Sequence, residues 1–272
     1  MRVGVLTGGG DCPGLNAVIR GLVRKAERDY GDEVVGFHEG YLGVMENRTM
    51  PLDVEACRGL LPKGGTIIGT TRTTPYMADD GVARVKATMA ETGVEALVVI
   101  GGEGTLSCAN RLMVEDGVPV IGVPKTIDND IGGTEMTFGF DTAVQIATDA
   151  IDRLHTTAES HNRVMVVEVM GRHVGHIATW AGMAGGATVT LVPEEPFDIA
   201  AVCESLIRRH ERGRFASIVV VAEGAIPAPG TIAVPEPSVD EYGHQRLGGI
   251  VNVVAAEIEA RTGFETRVTV LG

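Results

Sequence analysis

Short runs of apolar, mostly β-branched residues recur along the chain and alternate with longer amphipathic stretches. Eight runs have the length of buried strands, at residues 3–6, 33–37, 96–100, 118–123, 164–169, 188–192, 218–222 and 268–271. The stretches between them are predicted to be helices, and residues 17–26, for example, carry an apolar stripe at helical spacing. Because strands buried on both sides and separated by helices form mostly parallel sheets, the pattern predicts an α/β protein.

The net charge of the 272-residue chain is −13 at pH 7. Nucleic-acid binding needs clustered Lys and Arg to neutralise phosphates, so this charge opposes a nucleic-acid partner. The same charge repels a phosphorylated small substrate at long range. Any phosphate site must therefore supply its own basic residues or glycine-rich backbone donors.

Two further features bear on where the protein works. The apolar runs are well short of the roughly 20 residues that cross a membrane, and the amino terminus has no signal-peptide pattern. The four cysteines include no CxxC pair and are expected to be reduced thiols rather than disulfides or zinc ligands. We therefore expect a cytoplasmic protein without a membrane partner. Residues 227–249, rich in Pro, Gly and charge, are predicted to form a surface excursion.

Three of the predicted strands run directly into glycine and then into a helix. The glycines are Gly8-Gly9-Gly10 after Thr7, Gly101-Gly102 after Ile100, and Gly171 after Met170. Open α/β sheets bind ligands at the carboxyl ends of their strands, where glycine lets backbone N–H groups approach phosphate. The first loop lacks the Lys and Ser/Thr of a P-loop and the spacing of a dinucleotide fingerprint, so it is predicted to be a phosphate cradle of another type.

Residues 124–130, Pro-Lys-Thr-Ile-Asp-Asn-Asp, follow a predicted strand and place two carboxylates around an amide. A phosphoryl acceptor's hydroxyl loses its proton as the new bond forms, and a positioned aspartate can take that proton. Asp128 is the candidate base. The alternative is a turn whose side chains cap their own backbone.

Two more segments carry charged residues at strand ends. Glu103 lies where a divalent cation bridging donor phosphates would take an oxygen ligand, or it is an acidic residue that favours a helix dipole. That helix is predicted to begin near Thr105, a candidate cap. Arg172 emerges at another strand end and can neutralise charge on a transferring group, with a surface salt bridge as the alternative.

In this order and spacing, the segments resemble those of the 6-phosphofructokinases. The shared segments are GGDCPG at 9–14, Glu39-Gly40-Tyr41, GGEGT at 101–105, PKTIDND at 124–130, AESH at 158–161, VEVMGR at 167–172 and Glu265-Thr266-Arg267 with VTVLG at 268–272. The resemblance covers essentially the whole chain and implies two Rossmann-like three-layer α/β domains with mostly parallel sheets. It assigns residues 1–139 to the phosphoryl donor, ATP, and residues 140–272 to fructose 6-phosphate.

The resemblance also implies roles residue by residue. Asp128 would be the base and Arg172 would stabilise the transferring phosphoryl group, with Thr126 and Asp130 beside the reaction and Mg²⁺ bound by Glu103 and Asp130. The donor would contact Gly9, Gly10, Tyr41, Arg72, Gly102, Glu103, Gly104, Thr105 and Lys125. Fructose 6-phosphate would contact Thr126, Ile127, Asp128, Arg163, Met170, Gly171, Arg172, Glu223 and Arg267. In this family Arg163 and Arg267 reach into the neighbouring subunit's site, which implies a homodimer or homotetramer.

Two positions bear on the choice of donor. Gly104 leaves room for the α-phosphate of ATP, whereas pyrophosphate-using relatives place an aspartate there. Lys125 resembles the pyrophosphate enzymes, because an ammonium at this position can hold a free phosphate. We expect ATP, since a side chain in the nucleotide path blocks it while Lys125 can swing aside. The combination matches a mixed-character subgroup of the family.

The carboxyl end departs from the family pattern. Family members continue past VTVLG with another sugar-phosphate segment and further helices, whereas this sequence stops at Gly272, so we expect a fragment or a short form with a weakened acceptor site. A non-catalytic nucleotide or sugar-phosphate binding module is an alternative, although pure binding needs neither Asp128 nor Arg172. An NAD-binding protein is disfavoured, because GxGxxG is absent and His38 follows the second strand where an acidic residue belongs.

Overall fold

The computed structural model describes residues 1–232 and 249–272. The chain divides into two compact units, Met1–Gly139 and Phe140–Gly272. Most of the predicted surface excursion, residues 233–248, lies outside the described residues. At its beginning, the Ala228 N–H donates to the Phe197 carbonyl at 2.7 Å.

Unit 1 is built on a six-stranded sheet with the order β3-β2-β1-β4-β5-β6. Its strands are β1 (Arg2–Gly8), β2 (Glu33–Phe37), β3 (Thr49–Leu52), β4 (Ala96–Gly101), β5 (Val120–Thr126) and β6 (Phe138–Gly139). Its helices are α1 (Leu15–Lys25), α2 (Tyr41–Met45), α3 (Gly81–Thr92) and α4 (Glu103–Val114), with a π-helical turn at Ala26–Tyr30 and a 3₁₀ turn at Pro75–Met77. All strand pairs are parallel except β2 with β3.

Helices cover both faces of this sheet, because successive residues of its central strands point to opposite sides. Val5 of β1 packs with Ile19 of α1 on one face. Leu6, the next residue, packs with Val85 of α3 and Leu112 of α4 on the other. The three-layer arrangement predicted for this part of the chain is therefore present.

Unit 2 contains a four-stranded parallel sheet with the order β10-β7-β9-β8. Its strands are β7 (Val164–Val169), β8 (Val189–Leu191), β9 (Ser217–Ala222) and β10 (Thr266–Val270). Its helices are α5 (Phe140–His161), α6 (His176–Ala184), α7 (Ile199–Glu211) and α8 (Ile250–Thr262). Helices α7 and α8 share an apolar core with one face of the sheet, whereas α5 contacts β7 and β9 and α6 contacts β8 and β9. None of the helices in the described ranges is long and apolar enough to cross a bilayer.

Unit 2 also buries a carboxylate. Glu168 of β7 is 3% exposed, and its Oε2 accepts a hydrogen bond from the Val251 N–H in the first turn of α8 at 3.2 Å. Gly249, the residue at the N-cap of α8, has no side chain to offer that turn. Glu168 therefore supplies from the sheet an acceptor that helix amino termini usually take from a capping side chain.

All eight predicted strands are present, and two strands that were not predicted join unit 1. Strand β3 is a four-residue antiparallel edge strand containing Pro51, so it has no apolar run to indicate it. Strand β6 has only two residues. Strand β5 begins at Val120 rather than at the predicted Val118, because the Val118 N–H donates to the Leu112 carbonyl and closes the end of α4.

Candidate active site

Three functional loops of unit 1 lie at the same edge of its sheet. In the register of the parallel strands, Gly8 of β1 pairs with Gly101 of β4, and Gly101 pairs with Pro124 of β5. Each of these residues is at or near the carboxyl end of its strand. The glycine loop of residues 8–10, the first turn of α4 and the loop of residues 125–130 are therefore neighbours, at the edge where open α/β sheets bind ligands.

Thr105 fills the space between the ends of β1 and β4. A Cβ placed on Gly101 would lie 2.4 Å from the Thr105 Cβ, and one on Gly8 would lie 2.7 Å from its Cγ2. Both positions therefore require glycine. The prediction that Thr105 caps α4 is wrong, because the helix begins at Glu103 with Gly102 as its N-cap and makes no side-chain capping bond.

Tyr41 supports the first turn of α4 from inside the core. Its side chain is 2% exposed, and its hydroxyl donates to the Thr105 carbonyl at 3.0 Å. Burial raises the pKa of this phenol far above its ordinary value. Tyr41 therefore supports the loop from the core side with almost all of its surface buried, and its contact with the donor stays a prediction.

Lys125 is a buried cation at the end of β5. It is 5% exposed, and its Nζ donates to the Gly10 carbonyl at 2.6 Å. Burial lowers the pKa of this ammonium, while the negative charges of Asp11 and Asp128 act in the opposite direction. Cys12 lies beside the same loop and donates to the Phe138 carbonyl. Burial is also the main reason that the pKa of Cys12 rises to about 11, so its thiol stays protonated at neutral pH.

The loop after β5 is closed by an asparagine. Asn129 has a positive φ of 55°, and its Oδ1 accepts from the Thr137 N–H at 2.8 Å. The Thr126 hydroxyl accepts from the Asp128 N–H at 3.1 Å. The self-capping turn that was the alternative for this segment is thus formed by Asn129 and Thr126. The Asp128 side chain is half-buried, as is Ile127, whereas Asp130 is exposed.

A threonine-rich segment, residues 70–74, borders the glycine loop on its other side. Gly8 pairs with Thr71 in an isolated parallel bridge, and the Gly9 N–H donates to the Thr71 carbonyl at 3.0 Å. The Thr70 hydroxyl donates to the Gly9 carbonyl at 2.7 Å. These contacts bring the exposed Arg72 to the same edge of the sheet. Arg72 is the one residue of this segment that was predicted to contact the donor, although the run of hydroxyl side chains was a signal for the rest.

In unit 2, the loops that follow β7 and β9 hold one another. The Gly224 N–H donates to the Gly171 carbonyl at 3.0 Å, and the Glu223 N–H donates to the Val169 carbonyl at 2.9 Å. Gly171 has a φ of 145°, and a Cβ there would lie 2.7 Å from the Val174 carbonyl oxygen. This strand edge therefore gathers four predicted substrate residues, which are Met170, Gly171, Arg172 and Glu223.

Arg163 and Arg267 lie at the opposite edge of the same sheet. Arg163 immediately precedes β7, and Arg267 is the second residue of β10, which runs parallel to β7. Both arginines pair with Glu265. Unit 2 therefore does not bring all its predicted substrate residues together, because the two arginines assigned to a neighbouring subunit's site are separated from the other four by the length of β7.

A phosphofructokinase family profile matches residues 2–272. The chain belongs to the phosphofructokinase family. It is 59% identical over 272 residues to the pyrophosphate–fructose 6-phosphate 1-phosphotransferase of Streptomyces coelicolor, covering 100% of this chain and 79% of that protein. It is 55% identical to the ATP-dependent 6-phosphofructokinase of Corynebacterium efficiens, again covering 100% of this chain and 79% of the relative.

Solved phosphofructokinases share the fold. The Saccharomyces cerevisiae phosphofructokinase aligns with a TM-score of 0.82 and 31% identity, covering 100% of this chain and 38% of that one. The Pichia pastoris phosphofructokinase in the T-state aligns with a TM-score of 0.86 and 32% identity, covering 100% and 29%. The predicted phosphofructokinase fold is confirmed, and the NAD-binding alternative is excluded.

This phosphofructokinase presents its two candidate metal ligands at the ends of adjacent strands. Glu103 follows β4, Asp130 follows β5, and both are exposed. Within residues 1–232 and 249–272, no group of three or more His, Cys, Asp or Glu is arranged to hold a metal. Mg²⁺ usually takes only one or two protein carboxylates and completes its shell with substrate phosphates and water. The pair matches that chemistry in charge and in number of carboxylates.

Proposed function

We propose that this phosphofructokinase transfers the terminal phosphoryl group of ATP to fructose 6-phosphate and forms fructose 1,6-bisphosphate, with ADP as the leaving group. The observation that carries the choice of ATP is the open space at Gly104, where an added Cβ would meet no heavy atom within 4 Å. Gly104 is exposed in the first turn of α4, at the edge where the unit 1 loops meet. That space is what the α-phosphate of a nucleotide requires.

The donor is assigned to unit 1. Backbone groups of Gly10, Gly102 and Thr105 would contact its phosphates, since glycine loops at strand ends present N–H groups to anions. Gly9, whose own N–H donates to the Thr71 carbonyl, would shape the turn beside them. Arg72 would add a positive charge to this electronegative chain. Glu103 and Asp130 would hold Mg²⁺, which supplies neutralisation of the phosphate charge that develops during transfer.

The acceptor, fructose 6-phosphate, is assigned to unit 2. Its hydroxyl would be activated by Asp128. The carboxylate of Asp128 would take the proton from the sugar hydroxyl as the new P–O bond forms. Thr126 fixes the backbone of Asp128 through the bond to its N–H, and Ile127 lies between them. Met170, Gly171 and Glu223 would position fructose 6-phosphate, and Arg172 would stabilise the charge on the transferring group.

Pyrophosphate is the second candidate donor. Lys125 stands at the end of β5, and the Streptomyces coelicolor relative with 59% identity is named for pyrophosphate. The third candidate is a non-catalytic binding module, which would use the loops without needing a base. We also propose a homo-oligomer, because Arg163 and Arg267 lie at the strand edge opposite to Arg172, and a cytoplasmic location.

The deciding experiment offers ATP and pyrophosphate in parallel, each with fructose 6-phosphate and Mg²⁺, and measures fructose 1,6-bisphosphate. We expect turnover with ATP. Turnover with pyrophosphate alone would reverse the donor assignment. A folded chain that binds nucleotide without turnover would favour the binding module.

A further inference from the structure

Two successive carbonyl oxygens of the first glycine loop accept hydrogen bonds from distant side chains. The Thr70 hydroxyl donates to the Gly9 carbonyl at 2.7 Å, and Lys125 Nζ donates to the Gly10 carbonyl at 2.6 Å. The donors are 61 and 115 residues away along the chain. The turn is therefore held from both sides by other segments of unit 1.

Because each peptide is planar, a bond that fixes one of these carbonyl oxygens also fixes the direction of the N–H group that follows it. In a trans peptide the C=O of one residue and the N–H of the next lie in one plane and point in opposite directions. The bond from Thr70 to the Gly9 carbonyl therefore points the Gly10 N–H away from Thr70. The bond from Lys125 to the Gly10 carbonyl likewise points the Asp11 N–H away from Lys125. In the described part of the chain neither of these N–H groups donates to a backbone carbonyl.

An anion site needs this arrangement. Backbone N–H groups attract phosphate oxygens, whereas a carbonyl oxygen turned toward the same place repels them. With its carbonyls engaged on Thr70 and Lys125, the loop cannot present them to a donor without breaking a bond on each side. The orientation thus exists before any ligand binds, so binding does not have to order the loop.

The position of Lys125 distinguishes this role from direct selection of pyrophosphate. Its side chain is 5% exposed and its Nζ is engaged with Gly10. A Cβ on Gly9 would lie 4.0 Å from that nitrogen, which shows that the ammonium lies against the loop. An ammonium in this place commits one of its three donors to the loop and so fixes the backbone that faces a phosphate.

We infer that Thr70 and Lys125 are positioning residues that preset the Gly9-Gly10 turn for the phosphoryl donor, and that Lys125 serves ATP and pyrophosphate alike. This inference rests on the proposed function for its ligand. The part of the inference that concerns the structure, the restraint on the Gly9-Gly10 turn, can be measured without turnover.

The test uses Thr70→Val, which removes the hydroxyl at nearly constant size, Thr70→Ser, which keeps it, and Lys125→Met. Thr148→Val is the matched control, because Thr148 donates a similar bond to the Val144 carbonyl within α5. Lys86→Met, on the exposed side of α3, is the control for loss of a lysine charge. The readouts are the amide hydrogen exchange rate of Gly9 and the steady-state constants for each substrate.

We expect Thr70→Val and Lys125→Met each to raise the donor KM roughly 3- to 10-fold, because each removes one net hydrogen bond. The KM for fructose 6-phosphate and kcat should each stay within about twofold of the wild-type value, which is less than the effect of one net hydrogen bond. The Gly9 amide should exchange faster in both variants and at the wild-type rate in Thr70→Ser and in the two controls. A donor that is not turned over is measured as a competitive inhibitor.

Unchanged Gly9 exchange in Thr70→Val and Lys125→Met would overturn the inference. A Lys125→Met variant that loses affinity for pyrophosphate but keeps it for ATP would also overturn it, because the lysine would then select the donor directly. If the wild-type chain turns over neither donor, the proposed function fails, yet the exchange comparison still decides whether the turn is restrained.

Discussion

Glu265 accepts a hydrogen bond from Arg163 Nε at 2.6 Å, while its second carboxylate oxygen pairs with Arg267. The hydrogen bond from Arg163 is the main reason that the pKa of Glu265 lies below its ordinary value of 4.5. One carboxylate thus gathers two arginines at the amino-terminal edge of the unit 2 sheet.

Replacing Glu265 with Gln should remove a pH-dependent contribution to stability. A carboxyl group whose pKa is lowered by folding stabilises the native state above its unfolded pKa, and this contribution is lost as pH falls through the lowered value. The Tm difference between wild type and Glu265→Gln should therefore be largest near neutral pH and shrink below about pH 4. Because the group is exposed to solvent, the difference should be small and should diminish in high salt. A Tm difference independent of pH would contradict this, and Glu91→Gln on α3 is the control.

Asp128→Ser should abolish most turnover while leaving donor binding nearly intact. Loss of a general base typically lowers kcat by about 10²- to 10⁴-fold. Isothermal titration with the donor should give a Kd close to wild type. Asp152→Ser, on the exposed side of α5, should be fully active. Full activity of Asp128→Ser would remove Asp128 from the base role.

Gly104→Asp should reduce kcat/KM for ATP far more than the affinity for pyrophosphate. An added Cβ at residue 104 meets no heavy atom within 4 Å, so we expect the fold to be unaffected and the change to be electrostatic and steric toward the nucleotide. Gly104→Ala tests size alone and should keep most ATP activity. Equal loss with both donors would show that residue 104 does not discriminate between them.

Tyr41→Phe should destabilise unit 1 by about 1 kcal/mol, because it removes the donor to the Thr105 carbonyl. Urea unfolding should show a lower midpoint with an unchanged slope. Tyr30→Phe is the control, since Tyr30 is 70% exposed. A wild-type midpoint for Tyr41→Phe would mean that the hydrogen bond contributes nothing.

The strands could be predicted because they are buried and continuous. Residues 33–37 and 164–169 were predicted to the residue, since each is a short, mostly apolar run that follows a charged residue. Strand β3 could not be found, because its pairing with β2 is decided by a partner outside its own four residues. Local pattern predicts an element only where the element is defined locally.

The candidate site shows the same division. The strand-end glycines and the residues of the loop after β5 could be predicted, because the residues of each group are adjacent in the sequence. The burial of Tyr41 could not be predicted, since it depends on the packing of α2 against α3 and α4. The role of Thr70 was not predicted, because its hydrogen-bond partner, Gly9, is 61 residues away in the sequence.

The separation of Arg163 from Arg172 along β7 has a consequence for mixtures of variants. Six residues of strand span about 20 Å, well beyond the reach of one arginine side chain toward a ligand of the other. If both arginines serve one sugar phosphate, two chains must supply them. Arg163→Ala and Arg172→Ala proteins, each inactive alone, would then regain part of their activity when unfolded and reassembled together. Such complementation between two defective variants would reveal shared sites even where the assembly itself is hard to see.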